Sequence, residues 1–396
     1  MNYDYDLLIV GGGLVGGSLA LALEGAPLRI GVVEAVTDEA RRVSPAGDRA
    51  LALSRGTAQI LDALGVWQEV VPQAMPIRQI HVSDRGHFGK ARLSAADQGV
   101  DALGHVAVAR VLEDAIERGL QRLPAERVCP ARVIGLKAGR EGVCVTLKQG
   151  AECLSLNVRL VVAADGGNST VRGLLGIEQD VRDYGQTAIV TEAQTSKGAD
   201  GTAYERFTAA GPLAFLPLAR RKSSVVWTMR HEDAAELLAQ PESEFTQRLQ
   251  EAFGYWLGSV RLAAPRQGFP LKLIRAARMV DDRVVLIGNA MHQLHPVAGQ
   301  GFNLGLRDAA LLAERLRAQL AFGGDIGEAG FLGQYAAARS RDLGQVVRFT
   351  DSLVRIFSND FPPMALARNL GLLALDRLPP VKRLLARHAM GYGVRL

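Results

Sequence analysis

Short apolar runs recur along the chain, and most of them end at a glycine or an acidic residue. They lie at residues 5–10, 28–33, 160–164 and 284–287. Unbroken apolar runs of this length are typical of strands that are buried on both faces of a parallel sheet. Helical patterns follow at residues 18–23, near Val171 and at residues 309–320. The alternation predicts an α/β domain built around a parallel sheet.

A different pattern separates the last two apolar runs. Strand-like pieces surround one helical stretch at residues 242–253, and they lie at residues 187–191, 212–218 and 223–230. Residues 77–93 also alternate between apolar and polar positions. Such alternation predicts an antiparallel sheet. One face of it is expected to form either plain core or the wall of a substrate cavity: Phe215, Leu216, Val226 and Trp227.

These two patterns predict a discontinuous α/β domain with an inserted sheet. The α/β domain is expected to contain residues 1–76, 94–180 and 274–325. The inserted antiparallel-sheet domain is expected to contain residues 77–93 and 181–273. Within the α/β part, we also expect a hairpin at residues 132–136 and 142–147 and a separate short strand at residues 154–156.

The C-terminal segment, residues 326–396, is predicted to be helical, with helices at residues 331–357, 363–378 and 381–389. From Ala365 onward one acid, Asp376, stands against six basic residues: Arg368, Arg377, Lys382, Arg383, Arg387 and Arg395. Apolar side chains form stripes beside them: Leu366, Leu370, Leu373, Val381, Leu384 and Leu385. A basic amphipathic segment of this kind either rests on an anionic membrane or docks on its own protein or a partner subunit.

Composition narrows the class of protein only slightly. Hydrophobic residues make up 48% of the chain and the formal net charge is +5, which suits an anionic cofactor or membrane surface and does not indicate nucleic acid. Three cysteines without a CxxC pair fit a reducing compartment. The N-terminus lacks the basic region of a signal peptide, and no apolar run reaches 18 residues. We therefore expect a cytoplasmic protein, free or peripheral on the inner face of the membrane.

The first apolar run leads directly into a glycine motif, Gly11-Gly12-Gly13-Leu14-Val15-Gly16. A GxGxxG sequence between a strand and a helix, with an acid at the end of the next strand, is typical of a dinucleotide site. Gly11 is expected to make the turn, Gly13 to admit a pyrophosphate and Gly16 to let helix and strand pack closely. Glu34 is the acid that would accept a hydrogen bond from a ribose hydroxyl. The motif does not distinguish FAD from NAD.

Two later segments repeat the strand–turn–helix pattern. Asp165-Gly166 ends a buried strand, where open α/β sheets bind their ligands. Residues 288–308 form a loop with glycines at Gly299 and Gly301, followed by a helix whose positive end suits an anion or an electron-rich ring. On glycines alone, either segment is equally typical of an ordinary connection. Arg49 could pair with a cofactor phosphate, but its local sequence favours an ordinary surface arginine on a loop.

Taken in order, the three motifs resemble those of the FAD-dependent aromatic hydroxylases of the para-hydroxybenzoate hydroxylase fold. They read GGGLVG with Glu34, AADGGNSTVR and GNAMHQLHPVAGQGFNLGLRD. The resemblance covers nearly the whole chain. It implies an FAD-binding Rossmann-like domain with an inserted antiparallel-sheet substrate domain and a helical C-terminal tail.

The resemblance also implies which residues contact FAD. The first motif and Glu34 are expected to bind the ADP half, and Arg49 is expected to lie near the flavin and its phosphates. Arg110 and Val133 are further expected FAD contacts, and Asp165-Gly166 helps to hold the cofactor. The third motif is expected to contact the ribityl chain and the flavin ring through Asn289, Gly299, Gln300, Gly301, Phe302 and Asn303. His295 and Pro296 are the candidate catalytic residues on the same loop, although His295 is equally able to order the loop. No metal is expected, because the HxxH pair His292 and His295 lacks a third ligand.

Asn289 departs from the acid that usually follows the glycine in the third motif. With Asn289, the sequence is similar to the ubiquinone-biosynthesis hydroxylases, most like the 2-polyprenyl-6-methoxyphenol type. An amide still hydrogen-bonds a ribityl hydroxyl, without charge. The implied substrates are a polyprenylated phenol and O2, and other proteins of the same pathway are the implied partners.

The implied reaction is ring hydroxylation through a flavin C4a-hydroperoxide, with NAD(P)H as a transient reductant. A second GxGxxG for NAD(P)H is absent from the sequence, so another electron donor remains an alternative. Another ring hydroxylase of the pathway and an FAD-binding non-catalytic subunit are further alternatives. A flavin halogenase is disfavoured because Trp67, Trp227 and Trp256 are isolated, and an NAD-dependent dehydrogenase would leave two motifs unexplained.

Overall fold

The computed structural model describes residues 2–294, 299–357 and 362–392. Its strands are β1 Tyr5–Val10, β2 Ile30–Val33, β3 Ala50–Ser54, β4 Met75–Ile77, β5 Gln79–Asp84, β6 Lys90–Ser94, β7 Gly104–Val108, β8 Glu126–Val128, β9 Arg132–Ala138, β10 Val143–Gln149, β11 Glu152–Ala163, β12 Gln179–Thr195, β13 Thr202–Thr208, β14 Gly211–Ala219, β15 Lys222–Arg230, β16 Val260–Leu262, β17 Gln267–Ala276, β18 Val280–Asp281, β19 Val284–Leu286 and β20 His292–Gln293. Its helices are α1 Leu14–Ala22, α2 Asp38–Arg42, α3 Arg55–Ala63, α4 Trp67–Val70, α5 Ala109–Leu120, α6 Thr170–Leu174, α7 His231–Ala239, α8 Glu242–Phe253, α9 Gln300–Ala321, α10 Ala329–Phe357, α11 Pro362–Arg377 and α12 Pro379–Ala389.

The first sheet is the predicted parallel sheet of the α/β domain. Its order is β18-β19-β11-β1-β2-β8, with β10 and β9 added to β11. The central pairs β19–β11, β11–β1, β1–β2 and β2–β8 are parallel. Leu7, Leu8 and Ile9 in β1 have no exposed surface, as the unbroken apolar run predicts for a strand covered on both faces.

One expectation for this sheet was wrong. Residues 154–156 and 160–164 were expected to be two strands, but β11 runs without interruption from Glu152 to Ala163. Its first half pairs with β10 in an antiparallel hairpin and its second half pairs with β1 in parallel. The polar residues between the halves lie where the strand leaves the hairpin and enters the core, so they mark a change of environment and not a break.

The second sheet is the inserted domain, in the order β20-β17-β12-β15-β14-β13-β5-β6 with β16 beside β12. It is antiparallel as predicted except at one place, because β13 and β5 are parallel. The sequence pattern missed both β13 and α7. In addition, β17 continues past the expected boundary at residue 273 and reaches Ala276.

The sheet also corrects the expected wall of four apolar side chains. Neighbouring residues of a strand point to opposite faces, so Phe215 and Leu216 cannot share one. Phe215 and Trp227 are buried in the core that packs on α8. Leu216 and Val226 point to the other side, where they line a cavity between the two domains. One face of these strands therefore forms plain core, and the opposite face forms a cavity wall.

The C-terminal helices dock on the protein itself. Arg368 of α11 lies with Nη2 2.6 Å from Oδ2 of Asp84, and both side chains are buried. The Asn369 side chain accepts a hydrogen bond from the Gly89 amide at 2.6 Å. In α12, Lys382 pairs with Asp97 at 3.2 Å. Part of the basic character of this segment therefore serves attachment to β5, β6 and the loops beside them.

Candidate active site

The glycine motif forms a tight turn between β1 and α1. Gly11 has a φ of +99°, and a Cβ there would lie 2.5 Å from the carbonyl oxygen of Ala164. A Cβ at Gly16 would collide with the carbonyl oxygen of Gly11. A Cβ at Gly13, in contrast, would meet no described atom within 4 Å. The first two glycines are thus required by the protein, whereas Gly13 borders open space together with Leu14 and Val15.

Glu34 follows β2 and bends back toward this turn. Its carboxylate accepts hydrogen bonds from the Gly12 amide at 2.9 Å and the Val36 amide at 3.0 Å. Arg41 approaches the same carboxylate at 3.1 Å, a contact that the sequence pattern did not suggest. The chain therefore holds Glu34 beside the glycine turn, as a ribose acceptor requires.

The two arginines expected near the cofactor have different surroundings. Arg49 lines the cavity and donates to the Ala46 carbonyl at 2.8 Å. Arg110 binds the loop that precedes β3. Its Nη2 donates hydrogen bonds to Asp48 Oδ1 at 2.7 Å and to the Ser44 carbonyl at 2.9 Å. Arg110 thus braces the loop that carries Arg49. Val133 is buried in β9, near the point where the Ala131 amide donates to the Glu34 carbonyl.

Asp165 stands at the C-terminal end of β11. Its Oδ2 accepts a hydrogen bond from the Val171 amide at 3.2 Å, but its buried Oδ1 has no partner among the described residues. A buried oxygen without a partner is costly and typical of a site that takes a ligand. Gly166 follows with a φ of +83° and lines the cavity.

Arg172 joins the middle motif to the third motif. Its guanidinium donates to the Gly167 carbonyl at 2.6 Å and to the Ala290 carbonyl at 2.7 Å. The side chain is buried, so these bonds replace water that the guanidinium has lost. The turn after β11 and the turn after β19 are therefore held at a fixed distance.

The start of α9 points its first amides at the cavity. Gly299 precedes the helix with a φ of +60°, and it has no side chain with which to cap the first turn. Gln300, Gly301 and Phe302 line the cavity, and a Cβ at Gly301 would meet no described atom within 4 Å. A first turn without a side-chain cap, together with the helix dipole, attracts an electron-rich or anionic group. Asn289 is exposed and lines the same cavity.

Asn303 has a structural task that limits its role in cofactor binding. Its side-chain oxygen accepts hydrogen bonds from the Ser54 amide at 2.9 Å and the Thr57 hydroxyl at 2.7 Å. Its side-chain nitrogen donates to the carbonyls of Ala52 and Gly299 at 2.9 and 2.7 Å. The amide group is fully used within the protein, so only the backbone of Asn303 is left for a cofactor.

A buried ionic network behind the third motif was not foreseen. Asp308 accepts hydrogen bonds from the Gly288 amide at 2.9 Å, from His292 Nε2 at 2.8 Å and from Arg339 Nε at 2.7 Å. Burial by itself would raise the pKa of Asp308, but Arg339 and His292 outweigh burial and hold that pKa at about 2. His292 is thereby committed to ordering the loop. The sequence signal that could have indicated this network is Asp308 itself, the acid that ends the third motif.

These elements surround one large cavity of about 1190 Å³. It begins at Gly13 and Arg49, passes Asn289 and the start of α9, and continues over the inner face of the second sheet to α11 and α12. Eleven of the expected cofactor residues line it: Gly13, Leu14, Val15, Arg49, Gly166, Asn289, Gly299, Gln300, Gly301, Phe302 and Asn303. The other six are not among the lining residues: Gly11, Gly16, Glu34, Arg110, Val133 and Asp165.

The expected catalytic residues His295 and Pro296 lie outside the described residues. Within the described ranges, no group of three potential ligands is arranged to hold a metal ion.

Comparison with known proteins decides the family. Residues 4–350 match the model of the FAD binding domain family. The chain is 42% identical over 392 residues to ubiquinone hydroxylase UbiL of Rhodospirillum rubrum, covering 98% of this chain and 89% of that protein. It belongs to the FAD binding domain family. The expectation of an FAD-dependent hydroxylase of the ubiquinone-biosynthesis branch is thus confirmed at the level of the family and its relatives.

One further relative and one solved structure are also similar to this chain. The 3-demethoxyubiquinol 3-hydroxylase of Escherichia coli is 31% identical over 98% of this chain and 99% of its own length. The structure of p-nitrophenol 4-monooxygenase PnpA from Pseudomonas putida superposes with a TM-score of 0.81, at 23% identity and full coverage of both chains. At that identity the structural likeness shows the fold alone.

The residues of this family member fit an FAD molecule. Three features are found at this cavity: open space beside Gly13, the unpartnered Oδ1 of Asp165 next to the lining residues Ala164 and Gly166, and the first turn of α9, which has no side-chain cap. Those three features accept, respectively, a bulky phosphate group, a hydrogen-bond donor and an electron-rich group. The cavity also extends well beyond them, which leaves room for a second molecule.

Proposed function

We propose that this protein hydroxylates the ring of a polyprenylated phenol, 2-polyprenyl-6-methoxyphenol, in ubiquinone biosynthesis. The observation that carries the proposal is the continuity of the cavity, because the wall that suits FAD runs directly into an apolar chamber. Side chains on the inner face of the second sheet line that chamber, including Ala188, Val190, Leu216 and Val226. A phenol ring that enters the chamber from the flavin side, with its apolar chain continuing toward the C-terminal helices, matches this arrangement.

The proposed cofactor contacts follow the three motifs. Gly13, Leu14, Val15 and Gly166 would face the ADP half, with Glu34 as ribose acceptor and Arg49 near the phosphates. Asn289 and the first turn of α9 would face the ribityl chain and the ring. FAD, once reduced by NAD(P)H, supplies the oxygen-transfer chemistry with O2. The protein positions the phenol and excludes water from the reaction.

The proposed route for the prenyl chain ends at the C-terminal helices. Leu378 and Val381 line the cavity and are also about half exposed, at 49% and 45%, and Leu384 beside them is 71% exposed. Arg383 and Arg387 are exposed on the same helix. Apolar side chains ringed by arginines suit the surface of an anionic membrane. No helix in the described ranges is long and apolar enough to cross a bilayer.

The proposed function is tested with the purified holoprotein. It should be yellow, release stoichiometric FAD on denaturation and convert a short-chain prenylated methoxyphenol to a product heavier by one oxygen atom. A deletion strain should accumulate the methoxyphenol precursor. A colourless protein without flavin, or a flavoprotein that never adds oxygen to the phenol, would overturn the proposal. Rescue of quinone synthesis by an FAD-filled variant without turnover would instead identify a non-catalytic subunit.

A further inference from the structure

One ionisable side chain interrupts an apolar row on the inner face of the second sheet. Cross-strand partners on six neighbouring strands place Val190, Val226, Ala214, Glu205, Val82 and Ala91 in line. Every member except Glu205 is aliphatic. Because side chains opposite each other share a face, Glu205 points into the same chamber as its neighbours. Glu205, Ala214, Val82 and Val226 all line the cavity.

Glu205 has no hydrogen-bond or ion-pair partner within the part of the chain that the structure describes. The adjacent residues on β13 face the other side of the sheet. There Arg206 lies 5.0 Å from the Trp256 ring centre, and the Tyr204 ring packs against Phe253 at 5.6 Å. The carboxyl group therefore stands alone in an apolar surrounding.

The other ionisable groups of this part of the cavity come from the C-terminal helices. Arg368 of α11 is held by Asp84, and His388 of α12 is the second such group on the wall. Burial raises the pKa of Glu205 to about 7, and no charged neighbour contributes to that shift. Burial also lowers the pKa of His388. Glu205 is thus poised between its two protonation states near neutral pH, as a general base requires.

A purely structural role for this carboxyl group is difficult to justify. A valine would continue the row, and an unpaired polar group in an apolar chamber is destabilising. A structural carboxylate in this chain has partners, as Asp308 and Asp84 illustrate. A group without partners that faces an open cavity is instead available to a ligand with a hydrogen-bond donor.

We propose that Glu205 binds the substrate's phenolic hydroxyl and removes its proton as the ring is hydroxylated. This inference rests on the proposed function and adds a catalytic residue to it. The O–H bond of the phenol breaks, an O–H bond forms on the Glu205 carboxylate, and the released electron pair enters the ring, which becomes the stronger nucleophile. Glu205 later returns the proton to solvent or to the product hydroxyl. No oxidant beyond the one that the hydroxylation already uses is needed.

The test compares two variants of the holoenzyme with a short-chain prenylated methoxyphenol. Glu205→Gln keeps a hydrogen-bond acceptor and removes the base, so kcat should fall 100-fold or more while KM changes little. Its kcat should also lose the rise with pH that the wild type shows around neutrality. Glu205→Leu removes the acceptor as well, so KM should rise in addition. Glu192→Gln is the matched control, because Glu192 lies in the same sheet, paired with Lys222 at 2.6 Å and outside the cavity wall.

Binding of the phenol and its O-methyl ether, followed by the absorbance of bound flavin, provides a readout independent of turnover. The wild type should prefer the phenol by tenfold or more, and Glu205→Leu should lose that preference. An unchanged preference in Glu205→Leu, or a pH profile kept in Glu205→Gln, overturns the role of Glu205 while the hydroxylase function stands. A wild type that binds neither compound overturns both proposals. Loss of flavin from Glu205→Gln would show that the residue supports the fold and would also contradict the inference.

Discussion

Two nitrogens of Arg339 contact one carboxylate oxygen of Asp308. Nε lies 2.7 Å and Nη2 lies 2.6 Å from Oδ1 of Asp308. Both side chains are buried, and they join α10 to α9. Because Asp308 also accepts the Gly288 amide, this pair fixes the turn that carries Asn289. The position of the cavity wall therefore depends on an ion pair that does not itself line the cavity.

Replacing Asp308 should test that dependence. Asp308→Asn leaves Arg339 buried with only Asp342 as an acidic partner, so the free energy of unfolding should fall by about 3–5 kcal/mol. Denaturant titration measures the change, and FAD affinity should fall with it. Glu244→Gln, which removes an exposed partner of Arg248, is the control and should change stability by less than about 1 kcal/mol. Equal stability of the two variants would contradict the prediction.

The same pair sets a pH dependence at the acid end. The pKa of Asp308 is held at about 2, below the value of 3.8 expected in the unfolded chain. The folded state therefore releases this proton more readily, and the stabilisation is present above pH 3.8 and is lost as the pH falls toward 2. Wild-type stability should decline over this window, and the decline should be smaller in Asp308→Asn.

Gly13 offers a test of the cofactor site that spares the fold. Gly13 has φ −71° and ψ −164°, an extended conformation open to any residue, and its surroundings leave room for a Cβ. Gly13→Val should therefore fold normally but lose FAD, because its methyl groups would occupy the space left for the pyrophosphate. Flavin absorbance per protein after gel filtration measures retention. Gly333→Val in α10, also with open space at its Cβ, should keep its FAD. Stoichiometric FAD in Gly13→Val would show that the motif was misplaced.

The parts of the fold that depend on local sequence patterns were predicted from the sequence. The strand, glycine turn and helix from β1 to α1 were predicted because period and motif lie within a few consecutive residues. The Asp308–Arg339 pair was not, since its members are 31 residues apart and only the packing of α9 on α10 brings them together. Likewise, the opposite orientations of Phe215 and Leu216 follow from strand geometry that a count of apolar residues ignores.

The strand that the sequence pattern failed to predict, β13, is the most informative error. Glu205 and Arg206 broke the apolar pattern there, so the segment from Thr202 to Thr208 did not read as a strand. The structure shows that each charge faces a different side of the sheet, and that one of them enters the cavity. A residue that contradicts the local pattern is often a functional one, because function requires polar groups where packing alone would not.

The burial of Glu205 in the apolar cavity predicts how the stability of the Glu205→Gln variant depends on pH. Burial raises the pKa of Glu205 to about 7, above the unfolded value of 4.5, so the folded state holds this proton more tightly. The contribution of Glu205 to stability is then fully present below pH 4.5 and is lost as the pH rises through 7. Without substrate, Glu205→Gln should match the wild type at pH 4.5 and exceed it at pH 8 by on the order of 2–3 kcal/mol. Denaturant unfolding at both pH values measures the difference, and Glu192→Gln should show no such gain. A variant less stable than wild type at pH 8 would indicate a stabilising partner for the carboxylate.

The proposed membrane surface can be separated from catalysis. Leu384→Glu places a negative charge on the most exposed apolar side chain of α12, and Arg383→Glu with Arg387→Glu reverses two charges beside it. Each lost basic contact costs about 1 kcal/mol at an anionic surface, so binding to phosphatidylserine-containing vesicles should weaken by tenfold or more in both variants. Co-sedimentation measures binding, with vesicles of phosphatidylcholine alone as the reference. Leu154→Glu, at a position 47% exposed on β11, is the control and should bind like the wild type. Turnover of a short-chain, water-soluble phenol should be unchanged in all of them, because the cofactor wall is untouched. Vesicle binding that survives both α12 variants would place the membrane contact elsewhere on the protein.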